Sequence, residues 1–254
     1  MLQIIDTFNK NVKNVKICLG AYHSKHSGKE GHWLEKKMGI VHNAKNEPDL
    51  LGYEMKKSSS KITLGDFSAA EYAFSAKRKL INAYNNWTDN VVMSRTNFIK
   101  FFGNPNPLKS NRYSWSGTCV PRYNEWSANG QMLTILDTVD IVIYYSFSKD
   151  KRHRDDLPEF LKHDDIVIAV WTIAKLTKNI NSKFNVNGFF LCKKIGRKFQ
   201  KICFGKPFGV DYFIQCIKNG KIIFYSGMYD GNSRNYSQFR GNKTFWDELV
   251  IAEY

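Results

Sequence analysis

The side chains best suited to catalysis are two carboxylates and a lysine that lie close together in the sequence, Asp49, Glu54 and Lys56. Glu54 and Lys56 are two residues apart on a predicted strand that follows Pro48, so both project from the same face. Asp49 lies where the chain enters that strand. Paired carboxylates supply the hard oxygen ligands that Mg²⁺ prefers, and a neighbouring lysine holds a water or a developing phosphate charge. The pattern favours metal-assisted phosphodiester hydrolysis. The alternative is a solvated strand face with ordinary Glu–Lys alternation.

The elements that must position these residues follow from hydrophobic spacing. Trp33, Leu34 and Met38 form an apolar stripe, which predicts a helix over 30–38 ahead of a strand over 50–56. Runs of β-branched and aromatic residues predict further strands at 139–147, 166–173, 188–195 and 221–228. Further helices are predicted at 1–19, 66–86 and 207–219. No repeat or Pro/Gly-rich linker divides the chain, which indicates one α/β unit.

Consecutive segments around the carboxylates resemble a known family of nucleases. Residues 28–43 carry the predicted helix, 47–57 read EPDLLGYEMKK, and 61–67 read KITLGDF. This run is similar to the MvaI/BcnI family of type II restriction endonucleases, relatives of the mismatch-repair nickase MutH. Residues 207–250 resemble the family's C-terminal helix, strand and polar loop, whereas 85–200 is the region in which these enzymes diverge in how they read DNA.

The resemblance implies a PD-(D/E)xK nuclease that hydrolyses double-stranded DNA at a short specific sequence. Asp49 and Glu54 would bind Mg²⁺, with Lys56 beside them. Glu35 matches a helix glutamate that supports the metal site in this superfamily, and a solvated helix carboxylate is the alternative for this residue. A MutH-like strand-specific nickase and a non-catalytic basic nucleic-acid-binding protein are the competing functions.

The implied fold is α/β, a restriction-endonuclease-like core with a central mixed sheet flanked by helices and two lobes around a DNA groove. We expect a single domain over 1–254, in which 1–85 with 207–254 form the catalytic core and 86–206 the second lobe. Family members of this branch often act as monomers with one active site per chain. The resemblance also implies functional pairing with a cognate DNA methyltransferase.

The charge of the chain supports a polyanionic partner. The sequence has 38 Lys and Arg against 23 Asp and Glu, a formal net charge of +15. Because such an excess destabilises a compact chain by self-repulsion, it favours nucleic acid first and an anionic membrane surface second. The alternative is a coding bias toward Lys and Asn. The acid-free stretch 90–124 is a further candidate for phosphate contacts.

Several polar side chains are candidates for contacting DNA. Arginine pairs bidentately with guanine, and asparagine or glutamine with adenine, so a base-reading set is predicted at Arg234, Asn235, Gln238 and Arg240. A polar hairpin tip is the alternative for these residues, and no histidine follows His163. His23 and His26 lie in a polar loop where they either approach the scissile phosphate or are simply exposed. Lys198 belongs to a basic hairpin that either clamps the DNA backbone or protects a sheet edge.

Composition excludes other classes of protein. Hydrophobic residues make up 43% and charged residues 24% of the chain, which is typical of a globular protein rather than a disordered one. No apolar run reaches the roughly 20 residues that span a bilayer, and the N-terminal residues lack the pattern of a signal peptide. The five cysteines are widely spaced without a CxxC pair, so reduced thiols are expected. We therefore expect a cytoplasmic protein, and the resemblance to restriction endonucleases implies a bacterial one.

Overall fold

The structure is a computed structural model that describes residues 1–20, 28–41, 46–88, 90–117 and 120–254. The chain divides into two compact units that interleave along the sequence. The first unit comprises Met1–Ile62, Thr177–Phe213 and Gly241–Tyr254, and the second comprises Thr63–Leu176 and Ile214–Arg240. These boundaries differ from the expected division, because 63–85 and 214–240 belong to the second unit and 177–206 to the first.

The helices within the described residues are α1 (Leu2–Asn11), α2 (Lys29–Lys37), α3 (Lys79–Asn85), α4 (Arg95–Phe102), α5 (Ile173–Phe184), α6 (Val210–Lys218) and α7 (Lys243–Leu249). The strands are β1 (Glu54–Lys57), β2 (Lys61–Asp66), β3 (Glu71–Tyr72), β4 (Asn104–Asn106), β5 (Arg112–Trp115), β6 (Asn129–Ile135), β7 (Ile141–Asp150), β8 (Ile166–Trp171), β9 (Phe189–Ile195), β10 (Lys198–Gly205), β11 (Ile222–Ser226), β12 (Met228–Tyr229), β13 (Ser237–Asn242) and β14 (Val250–Glu253). No helix in the described ranges is long and apolar enough to cross a bilayer.

The first unit is built on a mixed sheet of order β1-β9-β10-β14. β1 runs parallel to β9, with Glu54 opposite Phe189 and Lys56 opposite Leu191, and the remaining pairs are antiparallel. Met55, between Glu54 and Lys56, alternates to the other face of the strand. Its side chain joins a buried cluster contributed by α1, α2 and the β9–β10 hairpin. Burial of Met55 therefore fixes the register that places Glu54 and Lys56 together on the opposite face.

The second unit contains a four-stranded sheet of order β3-β8-β7-β6, in which every residue of β8 is buried. Two three-stranded sheets, β11-β13-β2 and β12-β5-β4, carry the C-terminal loop and the strand that contains Arg112. Trp115 and Trp171 are fully buried, and both rings contact Phe224. An aromatic core of this kind supplies large apolar area and directional ring contacts, so it forms a stable base for the loop described below.

The mixed α/β fold is confirmed, but two predicted helices are wrong in extent. Residues 66–86 are not one helix; they contain the end of β2, the short strand β3 and α3. Tyr72 of this segment stacks on Phe74 and contacts Trp171 of β8. The N-terminal helix ends at Asn11 rather than continuing to 19, because Asn14 adopts a left-handed φ of 63°.

Candidate active site and nucleic-acid interface

A tight turn brings Asp49 onto the start of β1. The backbone groups of Leu50 and Tyr53 exchange hydrogen bonds of 3.0 and 2.9 Å. The turn requires glycine at Gly52, where φ is +78° and an added Cβ would lie 2.5 Å from the Asn187 side chain. As a result, the Asp49 carboxylate folds back and Oδ2 accepts a hydrogen bond of 2.9 Å from the Met55 N–H. The spacing between the carboxylates is therefore set by this turn.

Glu54 is buried with one carboxylate oxygen satisfied and the other not. Its residue exposure is 2%. Oε1 accepts from Lys56 Nζ at 2.7 Å and lies 3.1 Å from Lys183 Nζ, whereas the buried Oε2 has no hydrogen-bond partner within the described residues. A buried charged oxygen without a partner is unfavourable. This oxygen is therefore suited to coordinate a cation.

Burial shifts the protonation equilibria of Asp49 and Lys56. Desolvation, with a smaller contribution from the negative charge of Glu54, raises the pKa of Asp49 to about 6. Desolvation is also the main reason why the pKa of Lys56 is lowered, although the Glu54 carboxylate opposes the shift. Each residue thus has its charged form disfavoured, as is common for catalytic groups. A divalent cation would stabilise the ionised form of Asp49.

Lys183 lies in the candidate site and was not predicted from the sequence. It lies in the last turn of α5, followed by Phe184, whose ring centroid is 5.7 Å from Lys56 Nζ. The residue is far from Glu54 in sequence, and nothing distinguishes it from the other lysines of this basic chain. Only the packing of α5 in the first unit brings its ammonium group to Glu54 Oε1.

On α2, the glutamate with partners in the sheet is Glu30 rather than Glu35. Glu30 forms ion pairs with Lys57 at 2.9 Å and with Lys194 at 2.6 Å, so it ties α2 to β1 and β9. These hydrogen bonds lower the pKa of Glu30, and the bond from Lys194 makes the largest contribution. Glu35 is half-buried. No group of three or more His, Cys, Asp or Glu side chains that could hold a metal is present in the described part of the chain, and the supporting role of Glu35 stays a prediction.

In the second unit, Arg95 holds the predicted base-reading loop. Its guanidinium donates to the backbone oxygens of Asn232 at 2.5 Å and Arg234 at 2.8 Å. It also donates to the side-chain oxygens of Asn232 at 2.9 Å and Asn235 at 2.8 Å. Because one rigid planar group bonds to several points, it fixes the loop conformation. The bond from Arg95 uses one of the two acceptor positions of Asn235 Oδ1, so an adenine paired with Asn235 would share that oxygen with Arg95.

The predicted readers beyond Asn235 lie on or beside β13. Arg234 has a 66% exposed side chain, stacks over the Tyr236 ring at 4.4 Å and lies 3.5 Å from Asp66 Oδ2. Arg240 stacks over Tyr225 at 3.9 Å and donates to Gln238 Oε1 at 2.9 Å. Gln238 and Arg240 are thus bonded to each other, whereas the Arg234 guanidinium is the most accessible of this set.

The remaining residues predicted to contact DNA are Lys198, His23 and His26. Lys198 is exposed at the start of β10, and no ion pair to it is found among the described residues. Its neighbours on the β9–β10 hairpin, Lys193 and Lys201, instead form ion pairs with Glu253 at 3.3 and 2.5 Å. His23 and His26 lie outside the described residues.

An acidic pair and a lysine at the start of a mixed sheet are the features of a restriction-endonuclease-type nuclease, and comparisons with known proteins support this class. The family model of the LlaMI restriction endonuclease matches residues 13–254. The type II restriction enzyme ScrFI of Lactococcus lactis subsp. cremoris is 38% identical over 266 residues, which cover 98% of this chain and 96% of ScrFI. The chain belongs to the LlaMI restriction endonuclease family. It is a type II restriction endonuclease, and the predicted resemblance is confirmed.

A solved structure supports the fold independently. The complex of restriction endonuclease MvaI with its cognate DNA substrate matches with a TM-score of 0.59 at 15% sequence identity. The match covers 100% of this chain and 95% of MvaI. At this level of identity the likeness shows the fold, and it confirms the predicted restriction-endonuclease-like architecture.

Proposed function

We propose that this enzyme cleaves double-stranded DNA with Mg²⁺ held by Asp49 and Glu54, and that Lys56 acts beside them. The observation that carries the proposal is the buried Glu54 Oε2, which has no partner among the described residues. Asp49 is close enough for the Glu54 charge to raise its pKa. Mg²⁺ is commonly bound through one or two carboxylates together with water and substrate phosphates, so this pair suffices for it.

The residues around the two carboxylates have separate proposed roles. When bound, Mg²⁺ activates the attacking water and stabilises charge on the leaving oxygen. The Met55 N–H orients Asp49, and the ammonium groups of Lys56 and Lys183 hold Glu54 Oε1, which leaves Oε2 for the cation. We assign Lys56 Nζ to hold the attacking water or a phosphate oxygen, with the Phe184 ring covering it.

The biological setting follows from the same proposal. DNA is the partner, and the net charge of +15 supports binding to a polyanion. We propose that the enzyme acts as a monomer in the bacterial cytoplasm together with a cognate DNA methyltransferase. The bacterial origin of ScrFI supports this setting.

Metal removal tests the proposed cofactor. We expect supercoiled plasmid DNA to be cleaved in Mg²⁺, to stay intact in EDTA, and to be cleaved again when excess Mg²⁺ is restored. The measured quantity is the fraction of plasmid converted to linear product. Undiminished cleavage in EDTA would contradict a metal site at Asp49 and Glu54.

Lys183→Met is expected to impair both cleavage and stability. Removing one of the two ammonium groups on Glu54 Oε1 leaves a buried carboxylate less compensated. We expect a loss of about 1–3 kcal/mol in the free energy of unfolding and a fall in cleavage rate of at least roughly tenfold. Urea unfolding and plasmid cleavage measure the two effects. Lys178→Met, an exposed position on the same helix, is the control; equal behaviour of the two variants would remove Lys183 from the site.

A further inference from the structure

Arg112 has a buried side-chain nitrogen without an acceptor among the residues that the structure describes. It lies at the start of β5 in the second unit, and its side chain is half-buried. Within the described residues, its Nε is buried and has no hydrogen-bond partner, and no hydrogen bond or ion pair of its side chain is found. Arg152, by contrast, is bonded to Asp150 and to two backbone oxygens.

The contact that Arg112 does make fixes its orientation without satisfying its hydrogen-bonding groups. The guanidinium Cζ lies 3.7 Å from the centroid of the Tyr229 ring. Stacking on a ring face is favourable for a guanidinium, but the N–H groups point along the edges of its plane. Leaving the buried Nε without an acceptor costs free energy. The geometry therefore presents a rigid, preorganised donor group that lacks a ligand.

Arg112 lies on a strand that pairs with β12, and β12 directly precedes the predicted base-reading loop. β5 pairs with β12, with Ser114 opposite Tyr229, and the Asp230 N–H donates to the Tyr113 carbonyl oxygen at 3.0 Å. The loop that carries Arg234 begins immediately after Tyr229. The aromatic partner of Arg112 is thus the residue from which this loop starts.

We propose that Arg112 is a further sequence-reading residue, which donates hydrogen bonds to the acceptors of a guanine base edge, and that Tyr229 is its positioning residue. The proposal rests on the proposed function, because it requires DNA to lie against the loop that contains Arg234. A base edge is favoured over a phosphate because the stacked plane is fixed, and bidentate pairing with guanine depends on a fixed planar donor pair. A phosphate contact has no such requirement and is met as well by a mobile lysine.

The test measures binding without cleavage. Variants are made in the Asp49→Ala background, and equilibrium binding is compared between a duplex containing the mapped cleavage site and duplexes with single base-pair changes. We expect Arg112→Ala to lower discrimination at one G·C pair by roughly 5- to 150-fold, while discrimination at the other pairs is kept. Arg112→Lys is expected not to restore it, because an ammonium group cannot make the bidentate contact.

Companion variants separate reading from folding. Tyr229→Leu removes the stacked ring and is expected to lower discrimination at the same base pair, whereas Tyr229→Phe keeps it. If thermal melting shows that Arg112→Ala does not fold, the same binding comparison is made with Arg112→Lys and Tyr229→Leu instead. Arg122→Ala, at a 75% exposed arginine paired with Glu125 at 3.8 Å, is the matched control, and any affinity it loses should be lost for all duplexes alike.

Each outcome decides the proposal. A selective loss at one base pair supports base reading by Arg112. A uniform loss would assign Arg112 to the phosphate backbone, and unchanged discrimination would remove it from the interface; both overturn the proposal. If the parent protein itself does not distinguish the mapped site from its variants, the proposed placement of the reading surface fails instead.

Discussion

Asp49→Ala and Glu54→Ala are each expected to abolish cleavage while specific DNA binding is retained. Each change removes one of the two carboxylates proposed to hold Mg²⁺, and the metal supplies several kcal/mol of transition-state stabilisation. We expect the cleavage rate to fall by at least about 10³-fold. Binding is expected to persist, because removing a negative charge beside the phosphates reduces repulsion. Plasmid cleavage and equilibrium binding to the mapped duplex measure the two properties.

The control for these variants is another carboxylate of the first unit. Asp6 is exposed on α1, and Asp6→Ala is expected to leave the cleavage rate unchanged. Cleavage by Asp49→Ala or Glu54→Ala at the wild-type rate would remove the proposed metal site. Loss of binding together with cleavage would instead indicate that the carboxylate is needed for folding.

Arg234→Ala and Lys198→Ala are expected to separate sequence reading from backbone contact. Arg234 has an accessible guanidinium stacked on Tyr236, so its loss should cost about 1–3 kcal/mol of discrimination between the cognate duplex and a single base-pair variant. Lys198 is exposed on a basic hairpin. Its loss should weaken binding to all sequences and reduce the log–log salt slope by about 0.9.

The comparison of these two variants decides where sequence is read. Binding is measured for both variants against the same set of duplexes at several salt concentrations. If both lose affinity uniformly, the C-terminal loop positions DNA without reading it, and the base readers must be sought in residues 90–124. If Lys198→Ala changes discrimination selectively, the β9–β10 hairpin contacts bases.

Local signals in the sequence were sufficient for α2 and for the strand that carries Glu54 and Lys56, although that strand begins at Glu54 and the predicted residues 50–53 form a turn. The stripe of Trp33, Leu34 and Met38 predicted α2, and the two-residue spacing of Glu54 and Lys56 predicted that they share a face of the strand. These features depend on residues close in sequence, where hydrophobic period reports directly on which side is buried. The candidate metal-binding pair, Asp49 and Glu54, could be predicted from the sequence for the same reason.

Features that depend on contacts between residues distant in sequence could not be predicted from the sequence. Lys183 reaches Glu54 only because α5 packs in the first unit, and Arg95 reaches the C-terminal loop across a long sequence separation. The apolar spacing over 66–86 has a helical period, yet Tyr72 and Phe74 of this segment stack on each other and both contact Phe98 of α4. In each case the deciding contacts are tertiary, and local pattern is a weak guide when tertiary packing competes with it.

The interleaving of the two units also depends on contacts between residues that are distant in sequence. The hairpin of β9 and β10 is distant from β1 in sequence, but parallel pairing of β1 with β9 assigns it to the first unit. Parallel strands require a long crossover between them. Here the second unit's residues occupy most of that interval, so no composition change marks the boundary.

The most direct measurement of the central claim is end mapping on a sequenced plasmid digested with the purified enzyme in Mg²⁺. The account predicts that both strands are cut at one fixed position within a recurring short sequence, and that the same digestion gives no ends in EDTA or with Glu54→Ala. Ends scattered without a common sequence, cutting of only one strand, or unchanged cleavage by Glu54→Ala would contradict it.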